Sequence, residues 1–102
     1  MPIKPDPIAE EREAAWVGDA VLALFAREWI LRERGRLDAA AMTRMTSNGF
    51  LNALGNPTAV EAEIGRLYRR DGLDAAFAYL EKTVIPLFQK QEKNRTGGRK
   101  GR

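Results

Sequence analysis

Asp19 sits in "EAAWVGDAVLALFAREWIL" (residues 13–31), a run otherwise dominated by Ala, Leu, Val and aromatic residues. On a helix its i±3 and i±4 neighbours are Ala15, Trp16, Leu22 and Ala23, so the carboxylate shares an apolar face. An ionised Asp there loses water, at a cost on the order of several kcal/mol unless it is paired or bound to a metal. Gly18 precedes it and weakens a helix by roughly 1 kcal/mol relative to Ala. What Gly18 offers in return is a missing side chain, which lets another backbone come close. The plainer alternatives for Asp19 are an ion pair, for instance with Arg12, or a carboxylate turned to solvent.

Glu61, in "TAVEAEIGRLY" (residues 58–68), is the second candidate. Its same-face neighbours on a helix are Thr58, Ile64 and Gly65. A Glu near a helix start is ordinarily a surface residue favoured by the helix dipole, and Glu63 fits that description. Gly65, four residues after Glu61, hints that this helix also meets a partner closely. Two carboxylates on separate helices, each beside a small residue, describe crossing helices that bring oxygen ligands together. Mg²⁺ is the natural guest, with Mn²⁺ as a second option, because Mg²⁺ takes hard oxygen ligands and keeps several waters. A water on such a metal attacks a phosphodiester while the metal stabilises charge on the phosphoryl oxygens. The chain has no EF-hand loop and no HExxH motif to strengthen the metal reading.

Composition narrows the chemistry. The 102 residues contain no His and no Cys, which removes imidazole bases, Ser-His-Asp triads, thiolate nucleophiles and most zinc sites. The chain length suits one domain with a modest core, and the lack of Cys suits a reducing compartment. The N-terminus, "MPIKPDP", has no apolar stretch of signal-peptide type. Asp19, Arg27 and Glu28 interrupt the longest apolar run too early for a membrane span. The expectation is a soluble cytoplasmic protein with no membrane partner.

The elements that must position the two acids read as helices throughout. Asp6-Pro7 is a cap followed by Pro at the first helical position, and Gly35 is a stop. Between them Val17, Ala20, Val21, Leu24 and Leu31 recur at helical spacing. Asp38 caps a second helix to about Thr46. Ser47-Asn48-Gly49 interrupts it, and Phe50, Leu51 and Leu54 form a short third helix ending at Gly55. Asn56-Pro57 opens a fourth helix to about Arg70, with Val60, Ile64, Leu67 and Tyr68 on one side. Asp74 caps the last, which turns Ala76, Phe77, Leu80, Val84, Leu87 and Phe88 inward and is expected to kink or divide at Pro86. No segment alternates like a strand, so the expected fold is an all-α compact helical bundle.

Charge is placed unevenly. Residues 89–102 carry Lys90, Lys93, Arg95, Arg99, Lys100 and Arg102 against Glu92 alone, a local net of +5, which leaves −2 for residues 1–88 of the total +3. The expected organisation is a helical domain over 1–88 and a basic, disordered tail over 89–102. Arg95, Arg99, Lys100 and Arg102 would hold a polyanion such as RNA through counterion release. A purely solubilising tail is the competing reading.

"AAWVGDAVLALFAREWIL" resembles the signature helix of the ribonuclease III family, whose pattern is an aliphatic residue, Gly-Asp-Ala, then a buried helix. "TAVEAEIGRLYRRDGLDAAFAYLE" is similar to the family's second signature, an Ala-x-Glu-Ala-x-Ile-Gly helix followed by a Gly turn and a final helix. "RLDAAAMTRMTSNGFLNALG" resembles the segment between them, including its Ser-Asn. The likeness runs from about Glu10 to Phe88 in the family's order. Full-length members carry acids where this chain has Ala15 and Thr58. The Mini-III branch, which lacks a separate double-stranded-RNA-binding domain, resembles this chain in having non-acidic residues there and in its short length. A further departure is the connection before the second motif, where only Asn56-Pro57 separates Gly55 from the helix.

The resemblance implies a ribonuclease III endonuclease-type bundle and a Mg²⁺-dependent endoribonuclease that cleaves double-stranded RNA, with ribosomal RNA precursors as the family's task. It implies Asp19 and Glu61 as the catalytic, metal-holding pair, with Asn48 and Thr58 as candidate donors behind them. It also implies a homodimer in which each subunit cuts one strand; Trp16, Phe25 and Trp29 are aromatic candidates for its interface, with the core the favoured place for Phe25. Arg66, Arg69 and Arg70 are further phosphate-contact candidates, though a solvated helix end accounts for Arg69 and Arg70 more simply. Two rivals stay open: an RNA-binding or ribosome-associated relative that has lost cleavage, and a helical protein-interaction module.

Overall fold

The computed structural model describes residues 6–100, with side chains through Arg95. Five helices follow in order: α1 (Pro7–Arg34), α2 (Ala39–Thr46), α3 (Asn48–Leu51), α4 (Pro57–Asp71) and α5 (Leu73–Lys100). The described residues contain no strand, and the chain is all-α as expected. None of the described helices is long and apolar enough to cross a membrane.

Local chemistry sets the boundaries. The Asp6 carboxylate accepts from the Ile8 N–H at 3.0 Å, with Pro7 opening α1. Gly35 ends α1 in the left-handed region (φ 72°) and donates its N–H to the Leu31 carbonyl at 3.0 Å. Asp38 caps α2 through the Ala41 N–H, Ser47 caps α3 through the Phe50 N–H, and Asn56 caps α4 through the Ala59 N–H. Gly72 closes α4 with positive φ, and α5 starts one residue later, so Asp74 falls in the first turn of α5 and is not its cap.

The core lies where all five helices converge. Trp29 and Phe50 both meet Phe88 edge to face, at ring-centroid distances of 5.8 and 6.1 Å. Met45, Leu51, Ile64 and Leu80 are fully buried around them. On α5 the expected inward set holds: Ala76, Leu80, Val84 and Phe88 are buried, with Phe77 and Leu87 packed against the cluster.

Three expectations need correction. First, α1 buries Ala14, Ala15, Gly18, Val21, Leu22, Phe25, Ala26, Trp29 and Ile30, while Leu24 and Leu31 of the expected stripe are exposed. The helix is apolar on both faces, so period alone could not choose; the small residues do, because they permit the closest approach. Second, α5 is one element through Pro86. Pro86 sits on the exposed side, and the Leu80–Val84–Phe88 stripe packs on either side of it. Third, helix α5 runs past residue 88, so the arm expected from residue 89 is helical in its described part. Glu92 is drawn in by Arg44, which donates to it from Nε at 2.7 Å and Nη2 at 2.8 Å. Of the tail residues expected to touch RNA, Arg95 is exposed and 3.7 Å from Glu92. Arg102 and the side chains of Arg99 and Lys100 lie outside the described residues.

Candidate metal centre

The site begins with the contact between α1 and α4. Gly18 and Gly65 are both buried in it, beside a small cluster of Ala14, Ala15 and Ala62. A Cβ on Gly18 would fall on the Glu61 carbonyl and lie 2.9 Å from the Gly65 backbone nitrogen. A Cβ on Gly65 would fall on the Ala14 carbonyl. The two backbones are therefore in direct contact, an approach that only glycine permits.

Asp19 follows Gly18 and Glu61 precedes Ala62, so this contact turns the two carboxyl groups toward each other. They lie within hydrogen-bonding reach, and the Glu61 carboxyl is pushed up from 4.5 to about 7. Burial is the largest cause, followed by the hydrogen bond with Asp19 and then by its negative charge. Near neutral pH the pair therefore holds a proton that isolated carboxylates would release. Arg12, the cation named in the simpler reading of Asp19, forms no ion pair with it, and no other described Lys or Arg does.

Donor chemistry fits a hard divalent cation. Two carboxylates face each other, Glu61 half-buried and Asp19 exposed, as its solvent-facing alternative had it, with no cation among the described residues between them. Among the described residues there is no group of three or more His, Cys, Asp or Glu side chains placed to hold a metal. The protein's share would be two oxygen-bearing side chains, with water completing the shell. Ala15, four residues before Asp19, is buried beside Ala14 and Ala62.

Other expected residues fall as follows. Thr58 lies exposed one turn before Glu61 on α4, and Asn48 lies exposed at the start of α3. Arg66 donates from Nε at 3.1 Å and from Nη2 at 2.8 Å to the two Glu10 carboxylate oxygens, joining α4 to α1. Arg70 pairs with Asp71. Phe25 and Trp29 belong to the core, which corrects their candidacy for an interface, whereas Trp16 is 80% exposed. Trp16 and Tyr68 flank a surface groove that also includes Asp19, Ala20, Leu24 and Leu73.

Two arrangements escaped sequence reading. The Glu10–Arg66 pair and the approach of Arg34 and Arg44 to Glu92 join residues remote in the chain. Neither carries a local signal, since charged residues on helix faces are ordinarily solvated. The chain matches no protein-family model, no curated protein and no solved structure.

Proposed function

We propose that this chain is a divalent-metal-dependent endoribonuclease acting on double-stranded RNA, of the ribonuclease III type that its signature helices resemble, with ribosomal RNA precursors as the natural class of substrate and the cytoplasm as its place of work. One observation carries the reading: Asp19 and Glu61, far apart in sequence, meet across the Gly18–Gly65 contact with no side-chain cation among the described residues to neutralise them.

Asp19 and Glu61 would hold Mg²⁺, or Mn²⁺ in its place. When bound, the ion supplies Lewis-acid stabilisation of a phosphoryl oxygen and acidifies a water. The chain's own contribution is geometric. Gly18 and Gly65 fix the separation of the helices, and the Glu10–Arg66 pair ties α1 to α4 beyond the crossing. The proton held by the pair must leave before a cation binds, so occupancy should rise as pH passes about 7.

A homodimer belongs to the same reading. Trp16, Leu24, Tyr68 and Leu73 are exposed apolar residues gathered on one side, next to Asp19. A second copy covering that groove would place two acidic pairs on one two-fold assembly. Such an assembly suits a duplex recognised by shape and backbone.

A second reading has a specific observation behind it. Among the described residues only two acids stand at the centre, and the position at which full-length ribonuclease III proteins carry another is held by Ala15. This favours a relative that binds RNA without cutting it. Incubating the protein with a long RNA duplex, in Mg²⁺ or in chelator, beside Asp19→Asn and Glu61→Gln, tests both. Metal-dependent cutting lost in either variant supports the nuclease. Salt-sensitive binding without cutting supports the second reading, and neither binding nor cutting defeats both.

A further inference from the structure

At the other end of α1, three guanidinium groups gather around one carboxylate. Arg44 of α2 grips Glu92 of α5 with two donors, Nε to Oε2 at 2.7 Å and Nη2 to Oε1 at 2.8 Å. Arg34, from the last turn of α1, reaches the same carboxylate at 3.5 Å while donating to Asp38 at 2.7 Å. Arg95 stands one helical turn beyond Glu92, at 3.7 Å. Among the described residues the cations outnumber the acids here, three arginines against Asp38 and Glu92. These groups border a surface cleft whose lining includes Arg44, Ser47, Gln91, Glu92 and Arg95.

A planar fork closing on two oxygens is the geometry by which arginine takes a carboxylate or a phosphate. We propose that the cleft between α2 and α5 is a seat for a phosphate group, and that the Glu92 carboxylate is its built-in occupant. A phosphate entering it takes the donors of Arg44 and Arg95, and Glu92 swings out to solvent. The three arginines hold the Glu92 carboxyl below its ordinary range, Arg44 foremost, so the seat is tuned for an anion. Arg34 lies about 22 Å along α1 from Asp19 at ~1.5 Å per residue. A backbone phosphate held here is therefore remote from the acidic pair and anchors a polynucleotide without touching the reacting bond. The polynucleotide form of this proposal rests on the duplex-binding reading; the seat itself does not.

Glu92→Ala removes the occupant, and Glu92→Gln removes its charge while keeping its shape. Binding is read by fluorescence polarisation of a labelled RNA duplex in chelator, so that cleavage plays no part. Each variant should bind the duplex about five- to tenfold more tightly than the unaltered protein, with a salt slope steeper by about 1. Adding Arg44→Gln should cancel the gain. Inorganic phosphate, titrated during thermal melts, should raise the melting temperature of the Glu92 variants more than that of the unaltered protein. Tighter duplex binding marks a backbone phosphate as the occupant; a response to inorganic phosphate alone marks a free one. Neither response, with helix content intact, overturns the seat. Loss of helix content in both variants also overturns it, because a carboxylate the fold cannot spare is not a placeholder. Failure of the nuclease reading shows separately, in the metal-dependent cleavage assay.

Discussion

Gly18 of α1 and Gly65 of α4 occupy each other's side-chain space: a Cβ on the first would overlap the Glu61 carbonyl, and a Cβ on the second the Ala14 carbonyl. Backbone cannot rotate away as a long side chain can, so a single methyl must push the helices apart. Helix propensity pulls the other way, since Ala is favoured over Gly by roughly 1 kcal/mol. The clash wins, and Gly18→Ala and Gly65→Ala should each destabilise the fold by about 2–4 kcal/mol in urea denaturation. Gly49→Ala is the control. Its nearest neighbour, the Ser47 hydroxyl oxygen, would be 3.9 Å from the new methyl, so the change should be neutral or mildly stabilising. Equal effects at all three positions would remove the close crossing.

The raised Glu61 carboxyl fixes a pH dependence of stability. A group whose folded value, about 7, exceeds its unfolded value of 4.5 stabilises the fold in its protonated form. That contribution is complete below about 4.5 and is lost as pH rises through about 7. Glu61→Gln keeps the shape and never ionises. It should match the parent near pH 4.5 and exceed it above pH 7.5 by about 1–2 kcal/mol, a value discounted because the site is partly open to water. Paired denaturation curves across that range measure it. A constant difference, or one that grows toward acid, contradicts the proton held between the two carboxyls.

How much of this could be read from the chain depends on how local each signal is. Most caps and stops were plain, because Asp6-Pro7, Asn56-Pro57 and Gly35 act within one turn, whereas Asp74 falls inside the first turn of α5. The carboxyl pair was legible for another reason: Asp19 looks misplaced on an apolar face, and Glu61, ordinary by itself near a helix start, shares with it a glycine at a spacing that permits close contact. The buried side of α1 was not legible, since Leu24 and Leu31 carry as much apolar weight as Leu22 and Ile30. Partner helices decide that question, and periodicity does not contain them. The course of α5 beyond Phe88 was hidden likewise, because Arg44, which holds Glu92, lies on a different helix.

If Asp19 and Glu61 hold a divalent ion, binding and folding are linked. At pH 8, Mg²⁺ at a hundredfold excess over its dissociation constant should stabilise the protein by about 2.7 kcal/mol. For a chain of this size that is a rise in melting temperature on the order of 10 °C. The rise should shrink at pH 5.5, where the pair keeps its proton and competes with the metal. Asp19→Asn and Glu61→Gln should each abolish most of it. Calorimetric melts with Mg²⁺ and with chelator provide the comparison. A shift that survives both substitutions places the ion elsewhere.

Trp16 gives the homodimer its own test. It is 80% exposed on α1, with Leu24, Tyr68 and Leu73 nearby, whereas Trp29 is 7% exposed inside the core. Large apolar side chains gathered on one face lose water contact only when another surface covers them. The protein should therefore sediment as a concentration-dependent dimer, its tryptophan emission shifting to shorter wavelength as the dimer forms. Trp16→Glu should yield a monomer with unchanged helix content, because the side chain contributes little to the core. Under the nuclease reading that monomer should also cut a duplex at least tenfold more slowly, since removing a buried aromatic anchor costs on the order of 2 kcal/mol or more of association energy. A wild-type monomer at every concentration, or a Trp16→Glu protein that still dimerises, rules this face out as the interface.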